Sequence, residues 1–131
     1  LSKKIISTAH QISLGLKQNL IVGNLSAETD WGYAPIYVEA FQNILYTDKP
    51  SDFVIATGES HSVAEFANIA FNFFGLNSEK FVIEDPKVLK RHLPRKIVDY
   101  SKLNAVTGWS PRLTFTELVQ TLVKDYLQSL S

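Results

Sequence analysis

A short apolar run, Leu20-Ile21-Val22, leads into a turn-rich stretch from Gly23 to Ala34 and then into apolar residues of helical period from Tyr37 to Leu45. Strand, long turn, helix is the order this stretch prescribes, and it constrains the fold more than any other part of the chain. A strand that feeds a helix belongs to α/β architecture. In open α/β sheets, ligands settle beyond the carboxyl ends of strands, at such turns. The expected fold is therefore α/β, a small parallel sheet with flanking helices, and the turn after Val22 is the first place to look for a site.

The remaining segments fit that order. Ile5, Ile6, Ala9, Ile12 and Leu16 recur at helical spacing from about Ser2 to Leu16, with Gly15 weakening the end. Pro35 suits a first helical turn, where a missing N–H costs little. The face of that helix is expected to be Tyr37, Val38, Phe41 and Leu45, with Ile44 beside them, and Thr47 to Ser51 breaks it after Tyr46. Phe53 to Thr57 is a continuous apolar run, expected as a parallel strand buried on both faces and closed by Gly58.

Ser62-x-x-Glu65 is a capping box, in which the Ser oxygen and the Glu carboxylate each satisfy a free N–H at a helix start. Val63, Phe66, Ala67, Ala70, Phe73 and Phe74 would carry the buried stripe of that helix, and Gly75 its left-handed stop. Phe81 to Ile83 is a third strand, and Asp85 to Lys96 a polar loop. Asp99 would cap a short helix to Thr107, with Gly108 as its stop. Thr114-x-x-Glu117 opens the last helix, whose expected face is Phe115, Leu118, Val119, Leu122, Val123, Tyr126, Leu127 and Leu130.

Composition limits the function. At 131 residues, 45% hydrophobic and 20% charged, the chain has the makings of one soluble domain with a real core. Thirteen basic and thirteen acidic side chains cancel, which argues against a nucleic-acid or membrane-surface binder. Without cysteine, no disulfide or thiolate zinc site exists. That suits a cytoplasmic protein, as does the lack of an apolar run near the roughly 18 residues of a membrane span. His10, His61 and His92 share no ligand spacing, so no metal site is expected. His61 is expected to hydrogen-bond its own turn. The chain opens Leu1-Ser2-Lys3-Lys4 and is expected to be a piece of a longer protein.

Three ordered motifs then converge. Gly23-Asn24-Leu25-Ser26-Ala27-Glu28-Thr29-Asp30-Trp31-Gly32-Tyr33-Ala34 runs on to Tyr37-Val38-Glu39-Ala40. Asp52-Phe53-Val54-Ile55-Ala56-Thr57-Gly58-Glu59 is followed by His61-Ser62-Val63 and Glu65-Phe66. Gly108-Trp109-Ser110-Pro111-Arg112 precedes Phe115 and Glu117-Leu118-Val119. Together they resemble the carboxyl-terminal part of the GDP-mannose 4,6-dehydratases, a group within the extended short-chain dehydrogenase/reductase (NAD-dependent epimerase/dehydratase) family. The resemblance implies the C-terminal part of a Rossmann-type enzyme, with residues 1–131 as a substrate-binding portion and the N-terminal dinucleotide-binding domain absent. It implies NAD or NADP and hydride transfer at the sugar C4 in the intact protein. No cofactor site is expected on this chain, which has no Gly-rich dinucleotide turn. No catalytic residue is expected either, because the family's Tyr-x-x-x-Lys pair is not in the sequence.

The resemblance also supplies candidate ligand residues. Lys4 falls on a lysine that binds the sugar nucleotide in this family; otherwise it is a solvated surface lysine. Asn24 could pin its loop or bond a ligand. Thr29 stands where the family has an arginine on the ligand diphosphate, and a hydroxyl supplies neither the charge nor the bidentate fork. Glu28 adds a negative charge beside it, and Ile36 replaces an acidic residue. Arg91, with Arg95 in reserve, matches an arginine that binds the diphosphate, within a basic run of Lys87, Lys90, Arg91, His92, Arg95 and Lys96 that could equally be a solvated loop. Asp30 is expected to cap the following helix, and Trp31 to pack in the core.

The expected partners are a nucleotide-sugar substrate and the missing N-terminal domain, with no nucleic acid and no membrane. Self-association into a homo-oligomer is expected from apolar surface left uncovered. Two alternatives stand beside the dehydratase: a related nucleotide-sugar epimerase or reductase, and a noncatalytic binding or assembly domain that kept the fold.

Overall fold

A computed structural model describes residues 1–49, 51–88 and 99–131. Six helices occur among them: α1 (Ser2–Ser13), α2 (Ala34–Leu45), α3 (Val63–Phe73), α4 (Ser78–Phe81), α5 (Ser101–Thr107) and α6 (Phe115–Ser129). Four short strands accompany them: β1 (Leu20–Val22), β2 (Glu28–Thr29), β3 (His61–Ser62) and β4 (Val82–Glu84). β1 and β4 pair in parallel, Leu20 opposite Val82 and Val22 opposite Glu84. β2 and β3 pair antiparallel, Glu28 opposite Ser62 and Thr29 opposite His61.

The main core forms where α1, α3 and α6 pack on one another, with β1 beneath α1. Ile5, Ile6, Ala9 and Ile12 face Phe66, Ala67, Ala70 and Phe71 of α3 and Val119 and Val123 of α6. Each large side chain buried here contributes about 1.5–3 kcal/mol of transfer free energy. A second core holds Ile36 and Ala40 of α2 against Leu103 of α5 and Trp109, whose indole Nε1 donates to the Ile36 carbonyl at 3.3 Å.

Helix starts follow the local chemistry. Ser62 Oγ accepts from the Glu65 N–H at 3.1 Å, and Thr114 Oγ1 from the Glu117 N–H at 3.2 Å. Asp99 accepts from the Ser101 N–H at 2.8 Å, which holds its carboxyl below the usual carboxylate range. Gly75 and Gly108 take the left-handed conformation at helix ends, φ +72° and +75°.

Several expected faces are corrected. α1 stops at Ser13, and the chain turns through Gly15 at φ +74°, so Leu16 points into solvent instead of completing the stripe. On α2 the buried side is Ile36 and Ala40, while Val38, Phe41 and Leu45 are exposed. Both sides of that helix are apolar, so periodicity could not choose, and packing on α5 and Trp109 did. On α3, Phe71 is fully buried while Phe73, expected in the stripe, is exposed. On α6, Leu122 is half-buried and Leu130 exposed. Phe53 to Thr57 joins neither of the two described ladders. Phe53 and Ile55 pack on the second core, but Val54 is exposed. An apolar run has strand character, yet it becomes a strand only when a neighbouring backbone takes its hydrogen bonds.

Candidate functional site

β1 ends at Val22, and the chain leaves it through Gly23 and Asn24. Asn24 Oδ1 accepts from the Ser26 N–H at 2.9 Å, a side-chain turn that bends the backbone toward α3. There Leu25 and Ala27 offer their carbonyls to Ala64 and Val63, at 3.0 and 2.9 Å. The segment is thus laid antiparallel along 61–64, and Thr29 comes to lie opposite His61.

Lys4 reaches the same place from α1. Its Nζ donates to the Ile21 carbonyl at 2.9 Å. Lys4 is exposed, and its ammonium has three donors, so the bond to Ile21 leaves two for another acceptor. Lys4 is thus tied to β1 through Ile21, and Asn24 follows the carboxyl end of the same strand. Thr29 is exposed further along, on the ladder. Arg91 and Arg95, with Lys90, His92 and Lys96, lie outside the described residues.

Asp30 has a different role from the helix cap expected of it. Its carboxylate accepts from the Thr57 N–H at 3.1 Å, the Thr57 hydroxyl at 2.6 Å and the Gly58 N–H at 3.0 Å. It cannot cap α2, which begins only at Ala34 with Tyr33 as its first flanking residue. Trp31 packs as expected, its ring 4.9 Å from Phe66 and 5.8 Å from Phe115. Gly32 leaves room for Tyr37: a Cβ there would sit 2.1 Å from the phenol ring. Burial, with the charge of Asp30, pushes the Tyr37 hydroxyl up to about 12.

His61 makes the expected contact with its turn, through Glu59, and two further contacts. Its ring stacks on Phe115 at 3.8 Å and 4°. Nδ1 lies 2.6 Å from Glu65 and Nε2 3.2 Å from Glu59. The Glu65 carboxylate thus bonds the imidazole in place of the reciprocal half of the capping box. Burial pulls the imidazole down, but the hydrogen bonds to Glu65 and Glu59, together with their charge, outweigh it and leave His61 above its ordinary range.

A cleft of about 280 Å³ opens beside this cluster, lined by Trp31, Thr57, His61, Tyr100, Arg112 and Phe115 among others. Arg112 is paired with Glu39 of α2. A wider cleft, about 650 Å³, lies between the end of α2 and α5, and among the described residues its lining includes none of Lys4, Asn24 and Thr29. Among the described residues, no group of three or more His, Asp or Glu can hold a metal, and no helix is long and apolar enough to cross a membrane.

Sequence reasoning missed the Asp30 contacts and the contact of His61 with Glu65. Both partners of each were in the quoted motifs, Asp30 with Thr57-Gly58 and His61 with Glu65. The three-residue spacing of Glu65 from Ser62 pointed to the cap, while its four-residue spacing from His61 was equally good for a side-chain pair.

Comparison with known proteins places this geometry. A family model described as GDP-mannose 4,6 dehydratase matches residues 1–122. GDP-mannose 4,6 dehydratase 2 of Arabidopsis thaliana is 38% identical over 128 residues, covering 97% of this chain and 34% of the relative. The Homo sapiens GDP-mannose 4,6 dehydratase is 36% identical, covering 93% of this chain and 38% of the relative. The chain thus spans about a third of the length of the curated relatives it matches.

Among solved structures, RMD from Pseudomonas aeruginosa complexed with NADPH superposes with a TM-score of 0.80 at 16% identity, over 98% of this chain and 41% of that one. The UDP-glucose 4-epimerase of Thermotoga maritima with UDP-glucose gives 0.77 at 19%, over 97% and 40%. These likenesses establish the fold, that of Rossmann-type extended short-chain dehydrogenase/reductase enzymes. Taken with the family match over nearly the whole sequence, they lead to one conclusion: the chain belongs to the GDP-mannose 4,6-dehydratase family.

Proposed function

We propose that residues 1–131 are the carboxyl-terminal, sugar-nucleotide-binding portion of an NAD(P)-dependent nucleotide-sugar dehydratase of the GDP-mannose 4,6-dehydratase kind. The observation that carries this reading is the bond from Lys4 to the Ile21 carbonyl, which holds an exposed ammonium on β1 just before the turn of Asn24, in a chain of this family. In this reading Lys4 turns its two remaining N–H donors to the ligand diphosphate. Asn24 shapes the turn beside it, Thr29 adds a neutral hydrogen bond, and Arg91 with Arg95 supplies further charge. A nucleotide-sugar diphosphate carries two negative charges, so Lys4 and one arginine balance it without a cation at Thr29.

The sequence has no Gly-rich dinucleotide turn, which supports placing the cofactor site elsewhere in such a protein. The turn after β1, from Gly23 to Tyr33, is also longer than a strand-to-helix phosphate turn, so the N-terminus of α2 does not stand at the end of β1. NAD or NADP, the catalytic Tyr and Lys, and the hydride transfer are therefore assigned to the remainder of such a protein. That remainder would also cover the exposed side of α2 and pair with Phe53–Thr57. An all-round apolar helix is normally buried, and the relatives are about three times longer.

Thr29 also motivates the second reading, a noncatalytic binding or assembly domain, because the family arginine is lost and Glu28 stands beside it. Thr29→Arg separates the two. In the full-length protein it is expected to tighten GDP-mannose by about 10- to 100-fold, the scale of one charged hydrogen bond. Calorimetry that finds no GDP-mannose binding in either form supports the noncatalytic domain.

A further inference from the structure

We propose that His61, as a doubly protonated imidazolium, is a positioning residue that clamps the strand carrying Thr29 and makes ligand affinity depend on pH. This rests on the reading above, in which Thr29 faces the ligand.

The two ring nitrogens each meet a carboxylate, Nδ1 that of Glu65 at 2.6 Å and Nε2 that of Glu59 at 3.2 Å. An ionised carboxylate only accepts, so both contacts are hydrogen bonds only when both nitrogens carry protons. The ring is held flat on Phe115 and cannot swing to satisfy one partner at the other's expense without losing that stack. His61 therefore ties three elements together: α3 through Glu65, the 57–60 turn through Glu59, and α6 through Phe115. It stands directly across the ladder from Thr29, and directly paired side chains share one face of a sheet. Glu28, next along β2, belongs to the opposite face by strand alternation.

Among the described residues, the surrounding charges favour the proton. Glu59 and Glu65 are two carboxylates against one cation. Arg112, the nearby cation of the same cleft, is paired with Glu39, and Tyr100 also lines it. Glu117, in the first turn of α6, adds a further acid. When pH rises and one ring proton leaves, one contact becomes a lone pair facing a carboxylate. The longer contact, to Glu59, is the one to open. The Glu59 N–H donates to the Thr57 hydroxyl oxygen at 3.3 Å, and Thr57 is the residue Asp30 grips. Release of Glu59 thus loosens the turn anchored one residue from Thr29.

Histidine-labelled full-length protein is titrated by NMR and, in parallel, with GDP-mannose, whose phosphodiester charges do not change in this range. Both His61 nitrogens should be protonated at about pH 6.5, the ordinary midpoint of a free imidazole. Glu59→Gln should move the His61 midpoint down. The dissociation constant should rise about fivefold or more as pH passes through that midpoint, the lower end of coupling between sites. His61→Gln, which keeps a polar side chain without the second charge-assisted bond, should flatten that pH profile. A His61 with one bare nitrogen at about pH 6.5 overturns the clamp whether or not ligand binds. Binding with the same pH profile in wild type and His61→Gln overturns its link to affinity. Binding absent at every pH overturns the proposed function, and the nitrogen resonances still decide the clamp.

Discussion

Asp30 accepts from both backbone and side chain of Thr57 and from the backbone of Gly58, so one half-buried carboxylate joins segments 27 and 28 residues apart in sequence. Nothing else in the motif could do this: Glu in its place is one methylene longer, and Asn would turn a donor toward one of the N–H groups. Asp30→Ala is expected to cost about 1.5–3 kcal/mol, the range of hydrogen bonds to a charged group. Denaturant melts of wild type and variant measure it, and a difference near zero would mean that water replaces the carboxylate. At Gly32 the constraint is steric. The phenol ring of Tyr37 fills the space a Cβ would need, and Gly32→Ala is expected to lose about 1–3 kcal/mol as the ring is displaced. His61 acts in the opposite sense from a paired acid. Its pKa is raised on folding, so the stability it adds is complete below the unfolded imidazole pKa of about 6.5 and disappears as pH climbs through the raised folded value. His61→Gln should therefore erase a loss of stability that sets in as pH rises above about 6.5.

Elements were legible in the sequence to the degree that their own residues determine them. Both Ser/Thr caps, the left-handed glycines at the ends of α3 and α5 and the presence of a parallel pair came from local chemistry and sequence order, though not which strands would pair. Thr114→Ala should accordingly weaken the protein by about 0.5–2 kcal/mol through the lost cap alone. Burial faces were legible only where polar residues marked the far side. α6 has them, and Leu118, Val119 and Val123 are buried as expected. The best probe of that face is Val123, which is fully buried, and not Leu122, which is partly exposed. Val123→Ala is expected to cost about 1.5–3 kcal/mol, roughly two methylenes of transfer plus a cavity. A loss below about 0.5 kcal/mol, the size of a surface change, would contradict the packing of α6 on α1 and α3. α2 carries Glu39 as its single charged side chain and is apolar on both sides, so its pattern gave no direction. Phe53–Thr57 marks the other limit, since its sequence gives strand character but only a pairing partner makes a ladder.

At the scale of the molecule, the candidate site was legible in its position more than in its contacts. The turn after Val22 carries Asn24, as the strand-turn-helix order suggested. The bond from Lys4 to the Ile21 carbonyl is what brings α1 to it, a contact 17 residues apart that no spacing rule announces. The exposed apolar side of α2, with Val38, Phe41 and Leu45, is a surface of the kind that associates. Residues 1–131 alone are expected to self-associate in sedimentation experiments, and Phe41→Lys with Leu45→Lys should shift them toward monomer. A clean wild-type monomer at high concentration would contradict this. The central claim is that Lys4 and its neighbours hold a nucleotide sugar. It is tested most directly by titrating GDP-mannose into the full-length protein and its Lys4→Ala variant at low salt. The expected result is saturable binding that weakens by about 10- to 100-fold in the variant, the worth of one charge-assisted hydrogen bond. Equal affinity in the two proteins would contradict it.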